Sequence, residues 1–331
     1  MIKENSNEAF RTLGPNTVIS AVESLGYVCD GYIFALNSYE NRVYQIGMPD
    51  GAPVVAKFYR PQRWTDAQIQ EEHDFAAELL ALEIPVAAPW RNADGASLHQ
   101  FAGFGFAIFP WVAGRQPDLD YKDNLQVMGR YLGRVHLAGA ARKFSQRGEL
   151  SVANMAIAPR QYLLQENFIP AELGPAYETV TTQLIDQVEK VMSRLPRSAC
   201  QRIHGDCHMG NVLWRDDIPH FVDFDDTVTG PVIQDIWMLL SGERDQRQAQ
   251  LLEVVEGYEE FKDFPASQLE LIEPLRTLRL IHYAAWLGKR WQDPAFPRSF
   301  PWFNTARYWS EHVLELREQL AALNEEPLRI Y

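Results

Sequence analysis

Over the first hundred residues, apolar and polar positions alternate in short runs, interrupted by stretches of longer period. Apolar Val18, Ile19 and Val22 follow Pro15-Asn16-Thr17 and predict a helix over 15–25. Period-two runs predict strands over 32–36, 42–46, 54–59, 97–101 and 104–109. Between the third and fourth of these, Phe75, Leu79 and Leu82 recur at helical spacing, which predicts a helix over 66–82 packed on the sheet. The run Phe109-Pro110-Trp111-Val112-Ala113-Gly114 ends the last strand with Pro and Gly. Beyond it the period becomes helical: over 125–137 (Met128, Leu132 and Val135 in one stripe), over 177–195, and through most of the chain after Asp235. The expectation is an α+β chain in two lobes. Residues 1–110 form a small antiparallel sheet with one packed helix, and residues 111–331 form a larger, mainly helical lobe.

The chemistry concentrates in one segment. His204-Gly205-Asp206-Cys207-His208-Met209-Gly210-Asn211 is followed by Phe221-Val222-Asp223-Phe224-Asp225. This is H-x-D-x-x-x-x-N, then a short apolar strand ending in Asp. Phosphoryl transfer needs a carboxylate to take the proton of an attacking hydroxyl, and an amide oxygen and a second carboxylate to hold Mg²⁺ on nucleotide phosphates. Asp206, Asn211 and Asp223 fit these roles. A plain polar turn would explain Asp206 or Asn211 alone, but not the second strand ending in acid. Such a site also needs a lysine on an upstream strand, and Pro53-Val54-Val55-Ala56-Lys57-Phe58-Tyr59 supplies it. Glu72 shares the apolar face of Phe75 and Leu79. A buried carboxylate requires a partner, and Lys57 is the natural one. Glu71, on the side of Asp74 and Glu78, is the second choice.

Further segments carry a family resemblance. They are Leu36-Asn37-Ser38-Tyr39-Glu40-Asn41-Arg42-Val43-Tyr44, Val55-Ala56-Lys57-Phe58-Tyr59-Arg60-Pro61, Ile84-Pro85-Val86-Ala87-Ala88-Pro89, Gln234-Asp235-Ile236-Trp237-Met238-Leu239-Leu240 and Asp293-Pro294-Ala295-Phe296-Pro297. With the 202–208 segment they are similar to the aminoglycoside-phosphotransferase-like branch of the protein-kinase fold. Within it the chain resembles the bacterial stress response kinase A family of serine/threonine protein kinases. The resemblance implies a bilobal kinase fold, ATP and Mg²⁺ as cofactors, and a protein serine or threonine as acceptor. The 109–114 run, with Phe109 and Trp111, reads as a hinge whose backbone groups meet an adenine, or else as an ordinary strand exit. No G-x-G-x-x-G loop precedes Lys57. In its place is the 38–41 turn, whose backbone N–H groups and Ser38 and Asn41 side chains are candidate phosphate ligands. Ser38 is also the candidate autophosphorylation site. Gly205 replaces the arginine of H-R-D, Asp225 replaces the glycine of D-F-G, and no A-P-E follows. Switching by a phosphorylated activation loop is therefore not expected.

Composition narrows the partners. The 331 residues suffice for two lobes. A net charge of −13 argues against nucleic acid and is compatible with cationic substrates. The chain start is polar, without a signal-peptide core, and no apolar run approaches the ~20 residues of a membrane span. Three cysteines, Cys29, Cys200 and Cys207, do not make a secreted framework. A cytoplasmic monomer without membrane or nucleic-acid partners is expected. The rival readings are a small-molecule kinase acting on an aminoglycoside, choline or homoserine-like alcohol, and a catalytically dead binding pseudokinase. His136 and Asp235 are expected to be structural. Asp225 and Asp226 are candidates for a second ion, substrate or a turn cap, and Trp286, Trp291, Trp302 and Trp309 are expected in the core first, or at the rim of a substrate cleft.

Overall fold

The alternating runs pair into one antiparallel sheet in the computed structural model, which describes residues 9–121 and 123–330; the polar start, Met1 to Ser6, lies outside them. After helix α1 (Pro15–Glu23) come β1 (Ile33–Ala35), β2 (Arg42–Ile46) and β3 (Val54–Phe58). Helix α2 (Asp66–Ala81) precedes β4 (His99–Phe101) and β5 (Phe104–Pro110), and the sheet order is β1-β2-β3-β5-β4. Alternation along β3 sends Val54, Ala56 and Phe58 to one face. There they bury with Ile46, Phe106 and Ile108 against Val18, Ala21 and Val22 of α1. Val55 and Lys57 take the opposite face, and the register sets Phe109 beside Val55 and Ala107 beside Lys57. Helix α2 starts where Thr65 and Gln68 form a reciprocal capping box, and it buries Glu72, Phe75, Ala76 and Leu79.

The helical lobe begins with α3 (Asn124–Ala140), α4 (Ala158–Gln165) and α5 (Gly174–Met192). Four short strands follow: β6 (Gln201–Ile203), β7 (Val212–Arg215), β8 (Ile218–Phe221) and β9 (Val228–Gly230). They pair β6 with β9 and β7 with β8. The loop 204–211 thus leaves β6 and the loop 222–227 leaves β8 at one place. Helices α6 (Ile233–Trp237), α7 (Arg244–Tyr258), α8 (Ile272–Arg290), α9 (Ala295–Ser299) and α10 (Ala306–Ala322) complete the lobe. Met128, Leu132, Leu184, Val254, Ile281 and Trp309 are central in its core. The arrangement is α+β and bilobal.

Several limits differ from the sequence expectation. The fourth strand shortens to His99–Phe101, and the 177–195 helix shifts to Gly174–Met192. A π-helical turn at Ala153–Ile157 leading into α4 has no counterpart in the expected elements. Of the four tryptophans expected in the core, Trp309 is fully buried, whereas Trp302 is 45% exposed and Trp286 donates its Nε1–H to Glu40. Among the described residues no helix is long and apolar enough to cross a membrane.

Candidate active site

A cleft with a cavity volume of about 220 Å³ lies between the sheet and the helical lobe. Val55, Lys57, Glu72, Phe109 and Trp111 line it from one side, and Asn211, Leu213 and Asp223 from the other. Lys57 Nζ is 2.8 Å from Asp223 Oδ1, 3.3 Å from Asp225 Oδ1 and 3.5 Å from Glu72 Oε1. Burial works against the lysine charge, but the three carboxylates outweigh it and hold Lys57 well above the usual lysine pKa.

Of the two adjacent glutamates, Glu72 is the one beside Lys57. Burial pushes its carboxyl up to about 7, Lys57 and Arg147 opposing. Its other oxygen accepts from Arg147 Nη2 at 2.9 Å. Arg147 also donates to the carbonyls of Asp225 (2.7 Å), Thr227 (3.1 Å) and Gln68 (2.9 Å), and its guanidinium lies over Trp64. Glu71 turns the other way. It accepts from the backbone N–H groups of Ser145, Gln146 and Arg147 and from the Ser145 hydroxyl. The pair Glu71-Glu72 therefore grips the segment 145–147 with one residue and Lys57 with the next. Arg147 carries no motif, and the sequence reading missed it.

Asp206 sits where the loop leaves β6. Its Oδ1 is 2.5 Å from Arg279 Nη1, and its Oδ2 is 3.4 Å from His208 Nε2 and from Asn211 Nδ2. Burial disfavours its charge, but the His208 hydrogen bond and the Arg279 charge prevail and hold it well below the usual carboxylate range. Asp235 fixes the loop by accepting from the backbone N–H groups of His204 and Gly205, both at 2.8 Å, while His136 Nε2 meets its Oδ2 at 3.0 Å. Both residues serve the fold. Asn211 donates Nδ2 to the Asp206 carbonyl at 2.9 Å, which leaves its amide oxygen for a cation. Asp223 adopts left-handed backbone (φ 58°), and its side chain is half exposed in the cleft.

These donors fit a magnesium ion. Asp225 Oδ1 is buried with the Lys57 ammonium near it, at 3.3 Å, and lies beside half-exposed Asp223. Among the described residues no three His, Cys, Asp or Glu converge on one metal position. Magnesium is ordinarily held by one or two protein carboxylates together with phosphate oxygens and water. Asp225 and Asp226 also both meet Arg63, another residue the sequence reading passed over.

The 38–41 turn divides. Ser38 lines the cleft and donates its hydroxyl to the Asn41 carbonyl at 3.3 Å. Asn41, expected to face phosphate, is instead buried, and its Oδ1 accepts from the Arg60 backbone N–H at 3.0 Å. Its amide braces the turn against the end of β3, because a buried polar group must find a partner. Glu40 in the same turn pairs with Arg60 and Arg290.

The sequence model of the phosphotransferase enzyme family matches residues 33–269. Stress response kinase A of Escherichia coli is 44% identical over 326 residues, 98% of either chain. Serine/threonine protein kinase RdoA of Salmonella typhimurium is 44% identical over 321 residues, 97% of either chain. Among solved structures, the amicoumacin kinase hAmiN in complex with AMP-PNP, Ca²⁺ and Ami shares the fold with a TM-score of 0.74 at 20% identity, covering 96% of this chain and 95% of its own. The microcompartment-associated aminopropanol kinase does so with a TM-score of 0.71 at 17% identity, covering 95% and 99%.

Proposed function

The chain belongs to the phosphotransferase enzyme family, among its stress response kinase A members, and from that premise we propose that it transfers the γ-phosphoryl group of ATP to serine or threonine hydroxyls of a protein. One observation carries the assignment of roles: Lys57 of the sheet lobe meets Glu72 and Asp223 at the cleft, and Asn211 of that cleft bonds to Asp206.

Adenine is placed against Phe109 and Trp111 at the end of β5. Lys57, steadied by Glu72, takes the phosphates, and the Ser38 turn covers them. Asn211 and Asp223 would hold the metal. Mg²⁺, when bound, neutralises charge on the phosphoryl oxygens as the group moves. Asp206 orients the acceptor hydroxyl and receives its proton. The acceptor O–P bond forms as the bond from the γ-phosphorus to the bridging oxygen breaks, and ADP leaves. Pre-set charges of this kind stabilise the transition state without reorganising. Ser38 is proposed as the autophosphorylation site. A phosphate there adds roughly −1.5 to −2 charges beside the nucleotide and makes the event self-limiting.

The test offers the purified enzyme labelled ATP, generic proteins and a panel of small alcohols. Label is expected on protein serine and threonine, and Asp206→Asn and Asp223→Ala should each lower transfer at least ~10²-fold. Label confined to small alcohols would move the assignment to a small-molecule kinase. Near-normal turnover in either variant would remove the assigned roles.

A further inference from the structure

Resting on the protein-kinase reading, we propose that the acceptor is a serine or threonine flanked by aspartate or glutamate, and that Arg279 is the group that recognises the flanking carboxylate. Helix α8 runs beside the catalytic loop and delivers Arg279 to Asp206 Oδ1 at 2.5 Å. The other contacts of that carboxylate side chain, to His208 and Asn211, are both 3.4 Å. Arg279 therefore holds the closest bond to the oxygen pair that must receive the acceptor hydroxyl. Its side chain is 37% exposed, and Asp206 is its one hydrogen-bonded or ion-paired partner among the described residues. Its guanidinium is thus held at this site by Asp206.

The neighbouring charges define what acceptor fits. Asp225 and Asp226 are matched by Arg63, Glu40 by Arg60 and Arg290, and Asp293 by Arg42 and Arg60. An aminoglycoside or choline needs a carboxylate with charge to spare, and each of these already has an arginine. A hydroxyl that docks on Asp206 Oδ1 displaces half-exposed Arg279 from that oxygen, and when its proton passes to the carboxylate Arg279 loses its counter-ion. A cationic acceptor would then meet an unpaired guanidinium, whereas a carboxylate on the acceptor pairs with it bidentately. Docking becomes an exchange of one ion pair for another. The transfer is otherwise unchanged: the hydroxyl proton passes to Asp206, the acceptor O–P bond forms, and the γ-phosphorus to bridging-oxygen bond breaks as ADP leaves.

The test uses the full chain with ATP and Mg²⁺ and two peptides, identical but for glutamates or lysines around one serine. The acidic peptide is expected to have the higher kcat/KM by ~10-fold, as one well-placed charge pair gives. Arg279→Met should bring the ratio near one, Arg279→Glu should invert it, and Arg279→Lys should keep most of it. Equal use of the peptides by the wild type, preference for the basic one, or an unchanged ratio in Arg279→Met overturns the inference. The wild-type ratio decides alone if a variant does not fold. Transfer to neither peptide nor protein, with transfer to a small alcohol, removes the protein-kinase reading and this inference with it. Protein transfer without acidic preference removes only the inference.

Discussion

Arg60, just past β3, places its Nη2 2.9 Å from Asp293, 233 positions further along the chain in the loop between α8 and α9. Arg42 joins the same carboxylate at 3.0 Å, and Glu40 takes Trp286 Nε1–H at 2.7 Å. The turn covering the cleft is thereby fastened to the helical lobe. The two segments involved, 36–44 and 293–297, are among those that mark the family in the sequence.

Asp293→Ala leaves Arg42 and Arg60 without that carboxylate and loosens the turn. Breaking a largely buried pair from one side costs about 3 kcal/mol, so thermal unfolding should shift down by several degrees and the KM for ATP should rise. Asp293→Asn keeps an acceptor oxygen and should lose less. Unchanged unfolding and ATP affinity in the alanine variant would show that the turn is held by other contacts.

Arg147→Met should be among the most damaging substitutions outside the motifs. It strands one oxygen of buried Glu72 and three backbone carbonyls at once, and buried groups left unpaired cost about 1–3 kcal/mol each. The expected result is a kcat/KM for ATP lower by at least ~10-fold together with a lower unfolding temperature. Glu71→Ala, which releases the 145–147 backbone without touching Lys57, should reproduce part of the defect. A Glu71→Ala enzyme equal to wild type would show that the segment holds itself.

Lys57, Asp206, Asn211 and Asp223 were legible because each lies in a local pattern whose backbone form, strand or tight loop, is set by its neighbours. Arg147, Arg63 and Arg279 were not. Their partners lie 75, 162 and 73 positions away, and sequence spacing carries no trace of such a meeting. Asn41 shows a different limit, since a polar turn residue suits a phosphate ligand and a buried brace equally well. Helix α4 was missed because its short run, entered through a π-turn, has too few apolar positions to set a period.

Gly205 explains why this loop has no arginine before its aspartate. Its φ is +85°, and a Cβ there would lie 2.2 Å from the Asp226 carbonyl oxygen. Gly205→Arg is expected not to create a phosphate-reading site but to push the 204–211 and 222–227 loops apart. Soluble yield should fall, and any folded protein should lose transfer at least ~10²-fold. A well-folded, active Gly205→Arg enzyme would show that the loops have room to separate.

His73 should make the fold sensitive to mild acid. It is buried on α2 between the Tyr59 hydroxyl, 2.6 Å from Nε2, and the Ser97 hydroxyl, 2.9 Å from Nδ1. Burial first, then the charges of Lys57 and Arg147, bring its pKa down to about 3. An unfolded histidine takes up its proton near 6.5, so below that pH the unfolded chain binds a proton that the folded chain refuses. The stability from neutral His73 is intact above pH 6.5 and falls as pH drops toward 3, with about 2 kcal/mol gone by pH 5. Unfolding of wild type and His73→Gln, compared at pH 7 and pH 5, checks this. The glutamine variant, which has no proton to gain, should lose less between the two pH values even if it starts lower. Parallel losses in the two proteins would place the acid sensitivity elsewhere.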